Sequence, residues 1–288
     1  MIVENAPAKV NLYLHIGPTR RDGLHDLASL FVFAEKGDVI RVEAAKDFNL
    51  TVSGPYADSL QDLPAEKNIV MVAARRLANE VCDGKAASIT LEKNLPVAAG
   101  VGGGSADAAA ALRALVRLWH ADISEAALAK LTFSLGADVP ACLARAPVNV
   151  SGAGERLDVG PALPPLWIAL VNPRVAMPTG PVFRAFDSQT PTPAPAVLAH
   201  APALTYEGLR ALMGATRNDL EPHAIVLAPV IRDVLDWLAA APGALTARMS
   251  GSGATCFALF ASESAAQRAA HGAGARGWWA MASRLHVR

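Results

Sequence analysis

Cysteine is scarce in this chain: Cys82, Cys142 and Cys256 are the only three in 288 residues, far apart and odd in number. That pattern excludes a disulfide framework and a zinc knuckle, and it reads as buried thiols in a reducing compartment. Charge is sparse and balanced, with 26 residues of each sign and no basic block, so a nucleic-acid partner finds no electrostatic footprint. Apolar runs are broken by Gly, Pro, Arg or Asp well short of membrane-spanning length, which argues against a membrane partner. Met1-Ile2-Val3-Glu4-Asn5 lacks the basic region and apolar core of a signal peptide, and a cytoplasmic protein is expected. His15, His120, His200, His223, His271 and His286 show no metal-ligand spacing. No Gly-x-Ser-x-Gly elbow or His-Glu-x-x-His pair exists.

What the chain does have is a glycine-rich loop. Leu95, Pro96, Val97, Ala98, Ala99, Gly100, Val101, Gly102, Gly103, Gly104, Ser105, Ala106 and Asp107 run straight into an alanine-rich helix. Glycines let the backbone amides approach an anion, and a helix starting near Ser105 aims its unpaired N–H groups and positive dipole end at the same place. Together they make an anion site that needs no loop lysine, and a nucleotide phosphate is the expected occupant. No Lys-Ser or Lys-Thr follows, so this is not a Walker loop; the third position of a dinucleotide fingerprint holds Ser105. A second small-residue loop, Ser250-Gly251-Ser252-Gly253-Ala254, reads equally well as a tight turn and gains weight only if it faces the first.

Coarse patterning predicts an α+β protein of two domains, divided at 1–158 and 159–288. Residues 9–16 alternate, with Val10, Leu12, Leu14 and Ile16 on one face and Lys9, Asn11, Tyr13 and His15 on the other, as in a half-buried strand. Further strands are expected at 27–33, 39–44, 88–92, 255–260 and 278–286. Asn68 suits the cap of a helix over 69–81, and helices are expected from Ser105 to Trp119, from Ser124 to Gly136, and at 206–213, 230–240 and 263–271. Gly136 and Pro140 stop one helix and start another, which puts Asp138 at a helix N-terminus. Residues 190–195 read as a Pro/Thr-rich surface loop.

Asp138 is the best candidate base, although a helix cap would use it equally well. Lys9 could be an ordinary edge lysine; next to Asp138 it would hold that carboxylate ionised and offset charge on a reacting phosphoryl group. His25, after Asp22-Gly23-Leu24, either reads a ligand edge or lies in a surface turn.

Three segments, Pro7-Ala8-Lys9-Val10-Asn11-Leu12-Tyr13-Leu14, the loop from Pro96 to Asp107 and Ser250–Ala254, resemble the signature regions of the GHMP small-molecule kinases, in order and at family spacing. The resemblance implies a ribosomal-S5-like N-terminal domain, a ferredoxin-like C-terminal domain and substrates held in a cleft. Arg21-Asp22-Gly23-Leu24-His25, Leu135-Gly136-Ala137-Asp138-Val139-Pro140 and Pro178-Thr179-Gly180-Pro181-Val182-Phe183 are similar to the branch that phosphorylates the 2-hydroxyl of CDP-linked methylerythritol on the non-mevalonate isoprenoid route. It implies ATP and Mg²⁺ as cofactors, Asp138 as base with Lys9 as its charged partner, and Pro96 to Ala106 around the ATP phosphates. Asn68 and Lys93 would line the adenine pocket. His25 would hydrogen-bond the cytosine, Leu24 and Phe183 would cover its faces, and Asn11 and Thr179 would contact the methylerythritol end or its diphosphate.

Leu24 stands where the family usually has an aromatic residue, weakening that stacking by about 1 kcal/mol. Ala106 replaces a frequent second serine, so one hydroxyl near phosphate or Mg²⁺ is missing. No second carboxylate is placed as a metal ligand, so the metal is expected on ATP oxygens and water. A monomer or weak homodimer is expected. The competing readings are a homoserine or mevalonate kinase, which has no base to recognise, and a catalytically silent ligand-binding relative, which would not need Asp138 and Lys9.

Overall fold

A computed structural model describes residues 1–81, 84–189 and 202–287. Cys82 and the Pro/Thr-rich segment expected at 190–195 lie outside the described residues. Two compact units form, one from Met1–Ala8, Lys36–Val97 and Gly102–Arg145, the other from Lys9–Glu35, Ala98–Val101 and Ala146–Arg288. Strands β1 (Ile2–Thr19) and β2 (His25–Ala45), which pair with each other, and the glycine loop all contribute chain to both.

In the first unit, residues 39–45 of β2 pair antiparallel with β4 (Ala86–Glu92), and β4 pairs parallel with β3 (Asn49–Ser53). Helix α1 (Ile69–Val81) packs on α2 (Gly103–Trp119) and α3 (Glu125–Leu135), and α2 packs on α4 (Val139–Ala144). The alanines of α2 explain the close approach: Ala108, Ala109, Ala110, Ala111 and Ala114 are all fully buried. Asn68 Oδ1 accepts from Val70 N at 3.0 Å, the cap expected of it at α1, and Ser124 Oγ accepts from Ala127 N at 3.2 Å, capping α3.

In the second unit, residues 27–31 of β2 pair with β5 (Val148–Gly152), which pairs with β6 (Arg156–Val159). A second, antiparallel sheet has the order β10-β7-β9-β8, from Trp279–Arg284, Trp167–Asn172, Cys256–Phe260 and Ala244–Met249. Among the described residues five helices complete the unit: α5 (Thr179–Gln189), α6 (Tyr206–Ala215), α7 (Glu221–Leu227), α8 (Val230–Ala239) and α9 (Glu263–Gly274). Val171, Phe186, Leu220, Ile231, Val234, Leu238, Phe260 and Ala266 form its core with Leu14 and Ile16 of β1.

Three expectations need correction. Residues 9–16 are buried on both faces: Lys9 and Asn11 are only 4% and 3% exposed. Alternation distinguishes polar from apolar sides of a strand, but it cannot say whether the polar side meets water or other polar groups. The strands expected at 27–33 and 39–44 are one continuous strand, because Gly37 between them is not a turn. It allows a close approach: a Cβ there would lie 1.9 Å from Ala6 O. Helix α2 starts at Gly103, two residues early, because left-handed Gly102 caps it and Ala106 N reaches Gly102 O at 2.9 Å.

Candidate active site

In the second unit the polar side of β1 meets both glycine loops. Lys9 Nζ donates to Asn11 Oδ1 at 2.9 Å and lies 4.3 Å above the centre of the Phe31 ring. Asn11 Nδ2 donates to Ser29 Oγ at 3.0 Å, and the Asn11 N–H donates to Ser250 Oγ at 3.1 Å. Ser250 Oγ in turn donates to Gly100 O at 2.9 Å, and Thr255 N reaches Ala99 O at 3.2 Å. The two loops therefore face each other, the condition under which residues 250–254 gain weight as part of the site. Thr179 Oγ1 lies 3.1 Å from Ser252 Oγ, bringing the start of α5 to the same loop.

Gly100 cannot be replaced in this arrangement without displacement. Its φ is +77°, and a Cβ would sit 2.4 Å from Ser250 O and 2.9 Å from Gly253 N. Ala98, Gly100 and Gly102 all take left-handed φ, so such residues alternate along the loop. Backbones of this kind form anion-binding concavities. Ala98 does so at the cost of a Cβ clash, held by its carbonyl's bond from Met177 N at 3.2 Å.

The base-reading candidates also lie in the second unit. His25 is buried; its Nδ1 is 3.0 Å from Gly17 O and its Nε2 3.2 Å from Asp187 Oδ1. The Phe183 ring lies 5.4 Å from the imidazole, centre to centre, and Phe186 meets it edge-on at 6.0 Å. Leu24 is 54% exposed, open to a ligand on its side of the turn.

Within the first unit, Pro96 and Val97 precede the loop, and Gly103, Gly104, Ser105 and Ala106 form the first turn of α2. Asn68 lines a pocket of ≈ 280 Å³ with Leu50, Val52, Leu60 and Leu63. Lys93 is not among its lining residues. It is buried at 3% exposure and ion-pairs with Asp38 Oδ2 and, at 2.8 Å, Asp107 Oδ2. Asp38 Oδ1 accepts from Asn94 N and Leu95 N at 2.5 and 2.7 Å, and a Cβ on Gly103 would come within 3.0 Å of Lys93 Nζ. The triad thus sits directly under the first turn of α2.

Burial opposes charge on Lys93, but the Asp107 and Asp38 carboxylates outweigh it and hold its pKa above the ordinary lysine value. Burial pushes the Asp107 carboxyl up to about 8, further than the Lys93 attraction pulls it down. Asp107 Oδ1 has no hydrogen-bond partner among the described residues. Asp138 stands at the N-cap of α4, half-buried, and its side chain does not bond the helix's first amides.

Sequence reasoning missed several supports of this site. Asn218 Nδ2 donates to both Met249 O and Gly251 O at 2.8 Å, and Glu221 Oε2 accepts from Met249 N at 2.8 Å, so the start of α7 clamps the second loop. Asp219 Oδ2 accepts from Ile16 N at 2.8 Å, tying β1 to the same place. The only sequence signal was three polar residues in Asn218-Asp219-Leu220-Glu221 ahead of Pro222. Asp38, Asp107 and Asp187 carried no local signal at all.

Two family models match, the GHMP kinases N terminal domain over residues 68–145 and the GHMP kinases C terminal domain over 196–277. A 4-diphosphocytidyl-2-C-methyl-D-erythritol kinase of Cereibacter sphaeroides is 49% identical over 283 residues, covering 97% of this chain and 98% of that one. A crystal structure of a 4-(cytidine 5'-diphospho)-2C-methyl-D-erythritol kinase superposes with a TM-score of 0.78 at 34% identity, over 99% of both chains. A homoserine kinase structure from Cytophaga hutchinsonii, at TM-score 0.72 and 22% identity over 99% of this chain and 94% of that one, shares the fold. The chain belongs to the GHMP kinases, and within them to the 4-diphosphocytidyl-2-C-methyl-D-erythritol kinase family.

Proposed function

We propose that this chain transfers the γ-phosphoryl group of ATP to the 2-hydroxyl of 4-diphosphocytidyl-2-C-methyl-D-erythritol. The observation that carries the reading is the buried hydrogen-bonded path from Lys9 through Asn11 and Ser250 to Gly100, which links an ammonium to the glycine loop. Near-full-length identity with kinases of that name supports the same acceptor. In this reading residues 1–158 form the catalytic domain and 159–288 the second domain, a division that leaves each matched family segment whole.

Phosphoryl transfer asks the protein for in-line positioning and charge stabilisation more than for covalent chemistry. The amides of Pro96 to Ala106 (the proline aside) and the N-terminus of α2 hold the polyphosphate. Asn68 and its apolar neighbours Leu50, Val52 and Leu63 take the adenine. Lys93, paired with two carboxylates, acts by shaping the loop under Gly103 rather than by lying open to the base. Asp138 accepts the proton of the acceptor hydroxyl, and Lys9 offsets charge developing on the phosphoryl oxygens. His25 reads the cytosine edge, Phe183 and Leu24 cover its faces, and Asn11 and Thr179 contact the polyol end. Among the described residues no group of three or more His, Cys, Asp or Glu side chains suits a metal. No step above is routed through Mg²⁺. No described helix is long and apolar enough to cross a membrane; small-molecule partners and a cytoplasmic site of action belong to the same proposal.

The test is turnover with ATP and each of three alcohols: the CDP-linked methylerythritol, mevalonate and homoserine. Product is expected with the first alone. Phosphorylation of mevalonate or homoserine without the CDP-linked alcohol would overturn the assignment.

A further inference from the structure

Two residues of β2 hold the polar side of β1. Ser29 and Phe31 stand two apart, so they share one face of their strand, and they meet Asn11 and Lys9 respectively. Ser29 is 1% exposed, too deep to touch a substrate itself. Its hydroxyl has one hydrogen, and that hydrogen is committed: Ser29 Oγ donates to Tyr13 O at 2.5 Å, and a carbonyl only accepts. Toward Asn11 the same oxygen therefore offers a lone pair alone. That selects the Nδ2 end of the Asn11 amide, which donates to Ser29 Oγ at 3.0 Å. The other end, Oδ1, is left facing Lys9 Nζ at 2.9 Å, where an ammonium needs an acceptor. A flipped amide would set its oxygen against a spent hydroxyl and its N–H bonds against a cation. The Asn11 backbone is anchored separately, its N–H donating to Ser250 Oγ at 3.1 Å. Ser29 thus governs the direction of one side chain, while Ser250 ties the strand to the glycine loop.

We infer that Ser29 is a positioning residue for phosphoryl transfer, fixing the Asn11 amide and through it the Lys9 ammonium. This rests on the proposed place of Lys9 beside the developing phosphoryl charge. The Phe31 ring attracts the cation from 4.3 Å but has no lone pair to aim its N–H bonds. Asn11 Oδ1 supplies that direction, and holds it only while Nδ2 has an acceptor of its own. Without the Ser29 hydroxyl the buried Nδ2 loses that acceptor, and the amide turns about its side-chain torsions toward another. The ammonium then spreads over several poses, few of which meet the phosphoryl oxygens in line. The loss falls on kcat, because an interaction with charge that develops only in the transition state has little bearing on ATP affinity.

The experiment has two arms, comparing wild type, S29A, S29T, K9M and the S29A/K9M double variant. Proton–nitrogen NMR of lysine-labelled protein reads the Lys9 ammonium, its signal assigned by its loss in K9M. Hydrogen exchange of that signal is expected to quicken at least about fivefold in S29A. It should return to within about twofold of wild type in S29T, whose hydroxyl can make both bonds. In the kinetic arm, S29A should lower kcat about 10- to 100-fold with KM for ATP little changed, and S29T should recover it. In the K9M background the S29A change should alter kcat less than about twofold, since its effect passes through the ammonium. A merely structural role would lower kcat by the same factor in both backgrounds, and that result overturns the inference. A Lys9 signal that exchanges equally fast in S29A and wild type overturns it too. If the wild type does not phosphorylate the CDP-linked alcohol, the proposed function fails, while the ammonium exchange still decides what Ser29 does.

Discussion

Replacing three glycines of the loop one at a time should give three different outcomes, because each meets different surroundings. Gly100→Ala places a Cβ 2.4 Å from Ser250 O and 2.9 Å from Gly253 N, at a φ of +77°. The left-handed conformation costs alanine about 1–2 kcal/mol, overpacking against backbone about 1–3, and loss of the Ser250-to-Gly100 hydrogen bond about 1. The sum, about 3–6 kcal/mol, is a large part of the stability of an ordinary domain. Gly103→Ala brings its Cβ to 3.0 Å from Lys93 Nζ, a flexible group but one pinned by two ion pairs. About 1–3 kcal/mol is expected there. Gly104→Ala meets only Ile69 Cγ2 at 3.7 Å, and should stabilise the first turn of α2 by about 0.5–1 kcal/mol through helix propensity.

Urea unfolding at 25 °C measures all three. ATP titration of turnover then separates fold from site, because Gly104→Ala puts a methyl on the exposed surface that the proposed phosphates approach. That variant should be more stable and yet have a raised KM for ATP. A Gly100→Ala protein within about 0.5 kcal/mol of wild type, with unchanged ATP kinetics, would refute the reasoning.

Asp138→Asn should lower kcat by about 10²–10⁴ while leaving nucleotide affinity within threefold; an undiminished kcat removes Asp138 from the base role. Lys93→Met leaves the Asp38 carboxylate buried without its cation and should cost about 3–5 kcal/mol in urea unfolding. Asp107 has its carboxyl pKa raised on folding, so its contribution to stability is full below its ordinary value near 4 and is lost as pH rises toward about 8. Asp107→Asn should therefore gain on the wild type between pH 5 and pH 8, and a constant difference in urea midpoint across that range contradicts this. Leu24→Tyr should lower KM for the CDP-linked alcohol about fivefold, the equivalent of about 1 kcal/mol of stacking, and unchanged or weaker binding would show that the Leu24 side does not cover the base.

Local chemistry was legible where the cause was local. The cap at Asn68, the helix start near Ser124 and the stop and restart around Gly136 and Pro140 follow from neighbouring residues and stand in the structure as expected; the alanine-rich helix after the glycines stands too, starting two residues early. Misreadings came where a distant partner changed a residue's meaning. Residues 27–33 and 39–44 read as separate strands, whereas Gly37 between them lies against Ala6, 31 positions away in the chain. The polar side of β1 looked solvated because Ser29, Phe31 and Ser250, which meet it, arrive from other segments.

From the sequence alone came the two-domain α+β class, the expectation of an anion-binding loop at residues 96–106, and the candidate set of Lys9, Asp138, His25 and Phe183. Glycine, proline and capping residues act on their own few turns of backbone, so they can be read without knowing the fold. The tertiary structure alone decided which groups share a charge. It joined Lys93 to Asp38 and Asp107, separated from it by 55 and 14 residues, and set Asp187 against His25. It also turned Ser250 toward Gly100, 150 residues away. Ion pairs and hydrogen bonds of this kind depend on distance in space, and no local pattern in the chain records which two segments will meet.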